Sequence, residues 1–213
     1  GTGLGKILPQ TPKDNLPTLF GYCSIAIGIN SIIKASGMTA VVLAILVGFT
    51  IGHSLHLEHW TSKFFHKLVK ALHLGDEHID MEFYITAVAL FCCSGFGWYS
   101  TLTEGITGDP SLLMSKAVLD FFTAMIFAST LGAAICAIPI PQVIILFIVF
   151  GAGKLLAGVL TPAMFADFSA CGGILTMAAG FRVSKIKSVP LVDLMPALIL
   201  VMPFSLLWTT LMG

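Results

Sequence analysis

Long apolar runs, interrupted by short polar or Pro/Gly-rich segments, fill most of this chain. A run of about 20 apolar residues is long enough for a helix to cross the hydrocarbon core of a bilayer. Each run therefore predicts a membrane-spanning helix. Counting a truncated first run, the pattern predicts about eight spans, at residues 1–9, 17–33, 38–56, 82–103, 111–137, 142–161, 165–183 and 190–210.

One segment, residues 57–74 between the third and fourth spans, has a different pattern. Its apolar residues recur every four positions, while its lysines occupy the other side. This periodicity predicts an amphipathic helix that lies in the membrane interface. The apolar positions are Trp60, Phe64, Leu68 and Leu72, and the lysines are Lys63, Lys67 and Lys70.

Basic residues favour one side of the predicted bundle. They lie in the loop between spans 1 and 2, in the amphipathic segment, and beside the loop between spans 7 and 8; they are Lys13, Lys63, Lys67, Lys70, Arg182, Lys185 and Lys187. The opposite loops carry Glu104, Asp109 and Asp167, with Lys34 as the basic exception. Because positive loops stay in the cytoplasm, loops 1–2, 3–4 and 7–8 are predicted to be cytoplasmic.

Two parts of the chain resemble each other. At an offset of 150 residues, GTG at 1–3 matches GAG at 151–153; after a two-residue shift, Gly21 matches Gly173 and Gly28 matches Gly180. The pattern predicts a repeat A of about residues 1–56 and a repeat B of about 142–210, around central helices at 82–137. Each span of the first copy is displaced by five spans from its equivalent in the second, and this odd displacement inverts the second copy in the membrane. Chance alignment of glycine-rich helices, which share packing needs, is the alternative.

Composition agrees with a single all-α transmembrane domain over residues 1–213. Hydrophobic residues make up 56% of the chain and charged residues 10%, and the mean hydropathy is +0.95. Soluble domains carry roughly a quarter charged residues. The formal net charge is zero, which gives no electrostatic footprint for nucleic acid. The five cysteines lie in apolar runs without the spacing of a disulfide framework or a metal site.

Charged residues inside predicted spans are candidates for function, since a charge near the bilayer centre costs at least about 2.5 kcal/mol. Asp120 lies about nine residues, or about 14 Å, into its span. Lys154 is predicted at a matching depth in the next span, so the two are expected to face each other. Lys116 is a rival partner, because it lies four residues from Asp120 on the same helix face. A structural pair and a transport role both remain open.

The stretch SGFGWYSTLTEGITGDPSLL, residues 94–113, predicts a break in the membrane-spanning helices. Asp109 and Pro110 are typical of the N-cap and first position of the following helix. Alternatively, irregular backbone at depth lines a solute or ion site, where the positive end of that helix attracts charge. The candidate lining residues are Ser94, Tyr99, Glu104, Asp109 and, in the second span, Asn30.

Three histidines follow the third span, close to Glu58. His53, His56 and His59 suggest metal ligands, but spacings of three spread them around a helix at its water-facing end. Surface histidines of an interfacial helix are the preferred interpretation. No HExxH occurs, and GITGD has one residue more than the GxGD loop of intramembrane aspartyl proteases. No enzymatic activity, metal or cofactor is therefore expected.

The run GITGDPSLLMSKAVLDFFTAMIFASTLGAAICAIP, with CGGILTMAAG and LMPALIL further on, resembles the uncharacterised prokaryotic membrane-protein family typified by YqgA and YdfK (domain of unknown function 554). Its most specific part carries Asp109, Ser111, Lys116 and Asp120. The chain departs from the family at GHSLHLEHW, because similar proteins tend to carry an acidic residue at the position of His53. The resemblance implies an integral inner-membrane protein that lacks an N-terminal portion here, and implies no established substrate.

The predicted inverted repeat and the intramembrane charges favour a small secondary transporter or ion-coupled permease of unknown substrate. A channel-like pore and a non-transporting scaffold or partner protein are the alternatives. The expected partners are the lipid bilayer and a small solute or ion, and a homo-oligomer is left open.

Overall fold

A computed structural model describes residues 10–71, 81–92, 95–156 and 158–212, and these residues are almost entirely helical. Two short 3-10 helices, Gly132–Ala137 and Val192–Leu194, precede the helices α7 and α9 defined here. The α-helices in the described ranges are α1 Gln10–Ile32, α2 Met38–Ser54, α3 Leu57–Ala71, α4 Met81–Cys92, α5 Gly95–Thr107, α6 Ser111–Leu131, α7 Pro139–Leu156, α8 Pro162–Val183 and α9 Met195–Met212.

Within these ranges, four helical segments are long and apolar enough to cross a membrane. Two further helical stretches, Thr18–Ile32 and Pro139–Leu155, are apolar but shorter, and α2 passes the same test only together with the start of α3, across a bend of 57°. The truncated first span, 1–9, lies outside the described residues. The four long segments are Met81–Thr107, which includes the undescribed residues 93–94, Ser111–Ala137, Pro162–Val183 and Val192–Leu211.

Several predicted boundaries differ from the structure. The span predicted at 17–33 belongs to a helix that begins at Gln10, so Lys13 lies in α1 and not in a loop; Pro12 is tolerated there because the first turn of a helix needs no N–H donor. The span predicted at 111–137 changes from α to 3-10 helix at Gly132, whose φ of 60° favours glycine. The amphipathic segment is helical to Ala71, and 72–74 fall outside the described residues.

Glycines bring α1 and α8 into direct backbone contact. A Cβ atom added at Gly28 would lie 2.6 Å from the Gly173 carbonyl oxygen, and one added at Gly173 would lie 2.7 Å from the Gly28 oxygen. Gly21 and Gly180 oppose each other in the same way, at 2.7 and 2.6 Å. Since the pairing runs from Gly21–Gly180 to Gly28–Gly173, the two helices are antiparallel. Small residues permit this approach where lipid supplies no hydrophobic drive between helices.

The other close helix pairs also rest on glycine. A Cβ atom at Gly48 of α2 would collide with the Ala197 nitrogen of α9, and one at Gly52 would collide with the Asp193 carbonyl oxygen just before α9. Between α5 and α7, a Cβ atom at Gly153 would lie 2.8 Å from the Leu102 oxygen. Thus α1, α2 and α7 each pack along one of the longer segments that could cross a membrane.

Helix α4 lies at the centre of the bundle, and every residue from Tyr84 to Cys92 is buried. Phe83 of α4 stacks on Phe127 of α6, with ring centroids 4.9 Å apart. Large apolar side chains on the outer helices remain exposed, among them Phe147, Leu155 and Leu211. Exposed apolar surface of this extent is unusual in water and suits contact with lipid.

Buried charged groups mark one end of the bundle. The Arg182 guanidinium at the end of α8 binds Glu58 of α3, with Nη1 2.8 Å from Oε1, and its Nε lies 3.7 Å from Glu82 Oε1 of α4. Ser184, which follows α8, donates a hydrogen bond of 3.4 Å to the Thr18 carbonyl of α1. Parts of α1, α3 and α4 and the segment after α8 therefore meet at this end.

A buried carboxylate holds the other end together. Asp167 of α8 accepts hydrogen bonds from the backbone N–H groups of Ser36 and Gly37 at 2.8 and 2.6 Å, and from the Ser205 hydroxyl of α9 at 2.6 Å. Because Ser36 and Gly37 immediately precede α2, this carboxylate satisfies donors at the start of that helix.

Candidate functional site

Lys116 and Asp120 form an ion pair on α6, separated by one helical turn. The Lys116 side chain is only 3% exposed and that of Asp120 26%. Gln142 of α7 donates a hydrogen bond of 2.7 Å from Nε2 to Asp120 Oδ2, the oxygen that also receives the lysine. The pairing of Asp120 with Lys116, one of the two alternatives considered for the sequence, is therefore the one observed.

The expected contact between Asp120 and Lys154 is wrong. Lys154 is exposed, and its ammonium lies 4.8 Å from the centroid of the Phe150 ring. Its neighbour Gly153 packs against the backbone of Leu102 in α5, which turns the Lys154 side chain outward. Matching depth along two helices does not bring side chains together unless the helices are also rotated toward each other.

A cavity of about 70 Å³ adjoins the ion pair. Three hydroxyl side chains from different helices line it: Ser24 of α1, Thr123 of α6 and Thr176 of α8. Each donates its proton to the carbonyl four residues earlier, at 3.0, 2.7 and 2.9 Å respectively. Their oxygen lone pairs therefore stay available as acceptors.

The cavity lies where α1 crosses α8. Ser24 is placed between Gly21 and Gly28, and Thr176 lies between the glycines that oppose them. Apolar side chains, including those of Phe20 and Phe91, complete the walls. A few polar groups in an apolar enclosure are typical of small-ligand sites. The cavity therefore presents several oxygen acceptors to a ligand, next to the positive charge of Lys116 and the negative charge of Asp120.

Tyr99 and Glu104 of α5 lie away from this cavity. Tyr99 packs edge to face on Phe165, with centroids 5.4 Å apart, and lines a wider cavity of about 390 Å³ together with Lys34 and Thr103. The Oε2 atom of Glu104 is buried and has no hydrogen-bond partner among the described residues. These residues lie at the end of the bundle that carries Asp167.

Asp109 stabilises the start of α6. Its Oδ1 accepts hydrogen bonds from the Ser111 N–H at 3.0 Å and the Ser111 hydroxyl at 2.5 Å. These two hydrogen bonds lower the pKa of the Asp109 carboxyl from its ordinary value, and the bond from the Ser111 hydroxyl has the larger effect. The helix starts one residue later than predicted, because Pro110 takes the N-cap position. Both Asp109 and Ser111 are exposed and outside the cavity.

The remaining predicted residues do not join the site. Asn30 is exposed on α1, and Ser94 lies outside the described residues. His53 Nδ1 lies 3.1 Å from Asp193 Oδ2, and the other oxygen of Asp193 accepts the Glu58 N–H at 2.9 Å. In the described ranges, no group of three His, Cys, Asp or Glu side chains is arranged to hold a metal ion.

Sequence reasoning missed four residues that carry buried polar chemistry. Gln142 stands in the first turn of a predicted span, where a polar residue is not unusual. Ser24 and Thr176 are small hydroxyl residues inside apolar runs, which are common in the contacts between membrane helices. Asp167 was assigned to a loop. Its hydrogen-bond partners are more than 35 residues away in sequence, so no local pattern could identify it.

The apolar outer surfaces and the long apolar helices together define a polytopic α-helical membrane protein. The chain matches the family described as "Protein of unknown function (DUF554)" over residues 1–206, and it belongs to that family.

Two relatives extend this match over nearly the whole chain. The "Uncharacterized protein YqgA" of Escherichia coli (strain K12) is 41% identical over 217 residues, covering 98% of this chain and 91% of the relative. The "Uncharacterized membrane protein YdfK" of Bacillus subtilis (strain 168) is 27% identical over 212 residues, covering 94% and 88%. No solved structure matches the chain. The resemblance to this family is thereby confirmed.

Proposed function

We propose that this protein is a small secondary transporter or ion-coupled permease, with its site in the cavity where α1 crosses α8. The observation that carries the proposal is the position of that cavity. The cavity lies beside the glycine contact between α1 and α8, and the Lys116–Asp120 pair forms part of its lining. Intramembrane ionisable groups inside a bundle mark ion and proton pathways in many transporters.

Packing between α1 and α8 supports an inverted repeat. Gly21 and Gly28 are equivalent in sequence to Gly173 and Gly180, whereas in the fold Gly21 opposes Gly180 and Gly28 opposes Gly173. A twofold axis in the membrane plane would convert each contact into the other. Ser24 and Thr176 are equivalent at the same offset, and they make the same hydrogen bond to the fourth preceding carbonyl.

The second pair of helices agrees with this symmetry. Helix α2 packs along α9 through Gly48 and Gly52, and the same offset of 152 residues places the equivalent of α2 in the region of α9. Inverted copies of this kind can exchange roles, which gives one form open to each side of the membrane. The proposal therefore includes about eight spans: the four longer segments, α1, α2 and α7, and the truncated span predicted at residues 1–9.

Orientation follows from the distribution of charge. The end of the bundle that carries Arg182 also carries Lys185, Lys187 and the lysines of α3, whereas the other end carries Asp167. By the positive-inside rule, the Arg182 end is cytoplasmic, in a prokaryotic inner membrane.

The size and chemistry of the cavity favour a small ion. A volume of about 70 Å³ holds roughly two water molecules. Asp120 Oδ2 is bound by both Lys116 and Gln142. A cation or proton that reaches this oxygen competes with Lys116, so that ion binding is coupled to movement of a buried side chain.

Flux in proteoliposomes tests the proposal. Tracer sodium, tracer chloride and protons reported by an entrapped pH dye are the probes, with protein-free liposomes as blank. For any probe that the wild type transports, Asp120→Asn is expected to lower the initial rate more than about tenfold, since losing 1.4 kcal/mol of ion binding is a factor of ten. Ser115→Ala is the matched control, because Ser115 is exposed on the same helix.

Circular dichroism must show equal helix content in the two variants. Equal flux in Asp120→Asn and Ser115→Ala would contradict the assignment of the site, and no flux of any probe above the blank would contradict the proposed transport. A rate that rises without saturation as the ion concentration increases would favour a channel-like pore.

A further inference from the structure

A second cavity opens at the Arg182 end of the bundle, between the start of α4 and the end of α8. Its volume is about 380 Å³, which is within the range of small-ligand pockets. Three basic side chains, those of Arg182, Lys185 and Lys187, line it together with the hydroxyls of Thr86 and Ser188. Glu82 is the acidic member of the lining.

Arg182 is held in place with one donor unused. Its side chain is 5% exposed, and Nη1 binds Glu58 Oε1 at 2.8 Å and the Val189 carbonyl at 3.2 Å. Its Nε atom is buried and has no hydrogen-bond partner among the described residues; Glu82 Oε1 is 3.7 Å away. Leaving a buried donor unpaired costs free energy, so a ligand oxygen at this position would be stabilised.

The end of α8 places the two lysines beside this donor. The N–H groups of Lys185 and Ile186 bond to the carbonyls of Arg182 and Phe181 at 3.0 and 2.9 Å, which closes the helix. Lys185 takes the left-handed conformation there, with φ of 57°. The turn therefore places Lys185 and Lys187 three and five residues after Arg182, at the end of α8.

Charges at the cavity do not cancel. Glu58 is engaged with Arg182, and the Ser188 hydroxyl donates to Glu82 Oε1 at 2.6 Å. Glu82 is mostly exposed, with 63% of its side chain accessible. Lys185 and Lys187 therefore leave excess positive charge at the cavity mouth, which favours an anion.

This end of the bundle has the features of a membrane surface. The start of helix α3 lies beside Arg182, because Glu58 of α3 forms the ion pair with it. The side chains of Trp60 and Phe64 on the same helix are 68% and 56% exposed. Exposed tryptophan beside lysine is typical of a helix at the level of the lipid headgroups. Basic pockets between transmembrane helices on the cytoplasmic side bind anionic headgroups.

We propose that the cavity bounded by Arg182, Lys185 and Lys187 binds a phosphate oxyanion, either on an anionic phospholipid headgroup or as free phosphate. The oxyanion accepts hydrogen bonds from the Arg182 Nε–H and from both lysine ammonium groups. The site is separate from the Lys116–Asp120 cavity and does not depend on transport.

Thermal stabilisation of the purified full chain measures binding, because a ligand that binds the folded state raises its stability with concentration. One arm compares phosphatidylglycerol with phosphatidylcholine; the other compares sodium phosphate with sodium chloride at equal ionic strength. The test variant is Lys185→Asn combined with Lys187→Gln, because asparagine tolerates the left-handed backbone at 185. Lys67→Gln, an exposed lysine on α3, is the matched control.

The double variant is expected to weaken binding about thirtyfold, at about fivefold for each lysine near a membrane surface. Stabilisation by phosphatidylglycerol alone would identify a headgroup site, and stabilisation by inorganic phosphate would identify a site for the free anion. No preference for phosphatidylglycerol over phosphatidylcholine and none for phosphate over chloride would overturn the proposal, as would a double variant that binds like Lys67→Gln. If the double variant does not fold, Lys187→Gln alone is tested, with a fivefold loss expected.

Discussion

Gly28→Ala tests the backbone contact between α1 and α8. The added Cβ atom would lie 2.6 Å from the Gly173 oxygen, 2.8 Å from Met177 Cβ and 2.9 Å from the Met177 nitrogen. Ordinary contact begins at 3.4 Å, so the helices must separate by about 0.8 Å at this point. Two of the three obstacles are backbone atoms, which cannot move aside by changing a rotamer.

The expected loss of stability is about 2 kcal/mol, within the range of 1–3 kcal/mol for overpacked sites. A gap of this size also forfeits roughly a quarter to a half of the dispersion energy of neighbouring contacts. For a chain of this length, about 2 kcal/mol lowers the melting temperature by about 4–8 °C. Thermal unfolding of the detergent-purified protein, followed by circular dichroism, is the assay.

Gly151→Ala is the matched control, since Gly151 lies in helix α7 and a Cβ atom there meets nothing within 4 Å. That variant is expected to be neutral or more stable by up to about 1 kcal/mol, from helix propensity alone. Gly28→Ala combined with Gly173→Ala should cost less than the two single changes added, because one separation of the helices accommodates both methyl groups. A loss in Gly28→Ala no larger than in the control, or strict additivity, would refute the contact.

Two further predictions concern carboxylates. Asp167→Ala is expected to lower the free energy of unfolding by about 3 kcal/mol, because the Ser36 and Gly37 N–H groups and the Ser205 hydroxyl lose their acceptor. Asp167→Asn keeps one carbonyl acceptor and should lower it by about 1 kcal/mol. Equal melting temperatures for the two variants would contradict this prediction. The pKa of Asp109 is lower in the folded state than in the unfolded state, where it is near 4. The Asp109 carboxylate therefore stabilises the fold above about pH 4, and this stabilisation is lost as the pH falls through the folded-state pKa. Melting curves between pH 6 and about pH 2 should therefore fall less steeply for Asp109→Asn than for the wild type, and parallel curves would rule this out.

The class of the protein and the contact surfaces of its helices follow largely from sequence. Bilayer thickness fixes the length of an apolar run, so the runs predicted membrane helices whatever their packing. Gly21, Gly28, Gly173 and Gly180 were predicted as equivalent positions, and they occupy the backbone contacts between α1 and α8. This agreement has a simple cause, because glycine is selected wherever two helices approach closely.

Contacts between side chains of different helices were harder to predict, because they depend on how each helix is rotated about its axis and on packing between distant parts of the sequence. The Lys116–Asp120 pair was accessible to sequence because both residues lie on one helix, one turn apart. Lys154 was misplaced because residue counting gives depth but not the direction of a side chain, which the packing of Gly153 decides. Asp167 binds residues from two other helices, and no local pattern encodes those contacts.

The proposed function requires that the cavity beside Lys116 and Asp120 opens to water on one side of the membrane in one form of the protein and on the other side in a second form. Ser24→Cys, in a background with all five native cysteines replaced by alanine, tests it without knowledge of the substrate. A membrane-impermeant methanethiosulfonate is applied to vesicles of each orientation, and Val118→Cys, an exposed apolar position on α6, is the control for a lipid-facing thiol. Ser24→Cys is expected to be labelled from both sides and Val118→Cys from neither. A Ser24→Cys thiol that reacts from neither side, or from one side only, would contradict the proposed function.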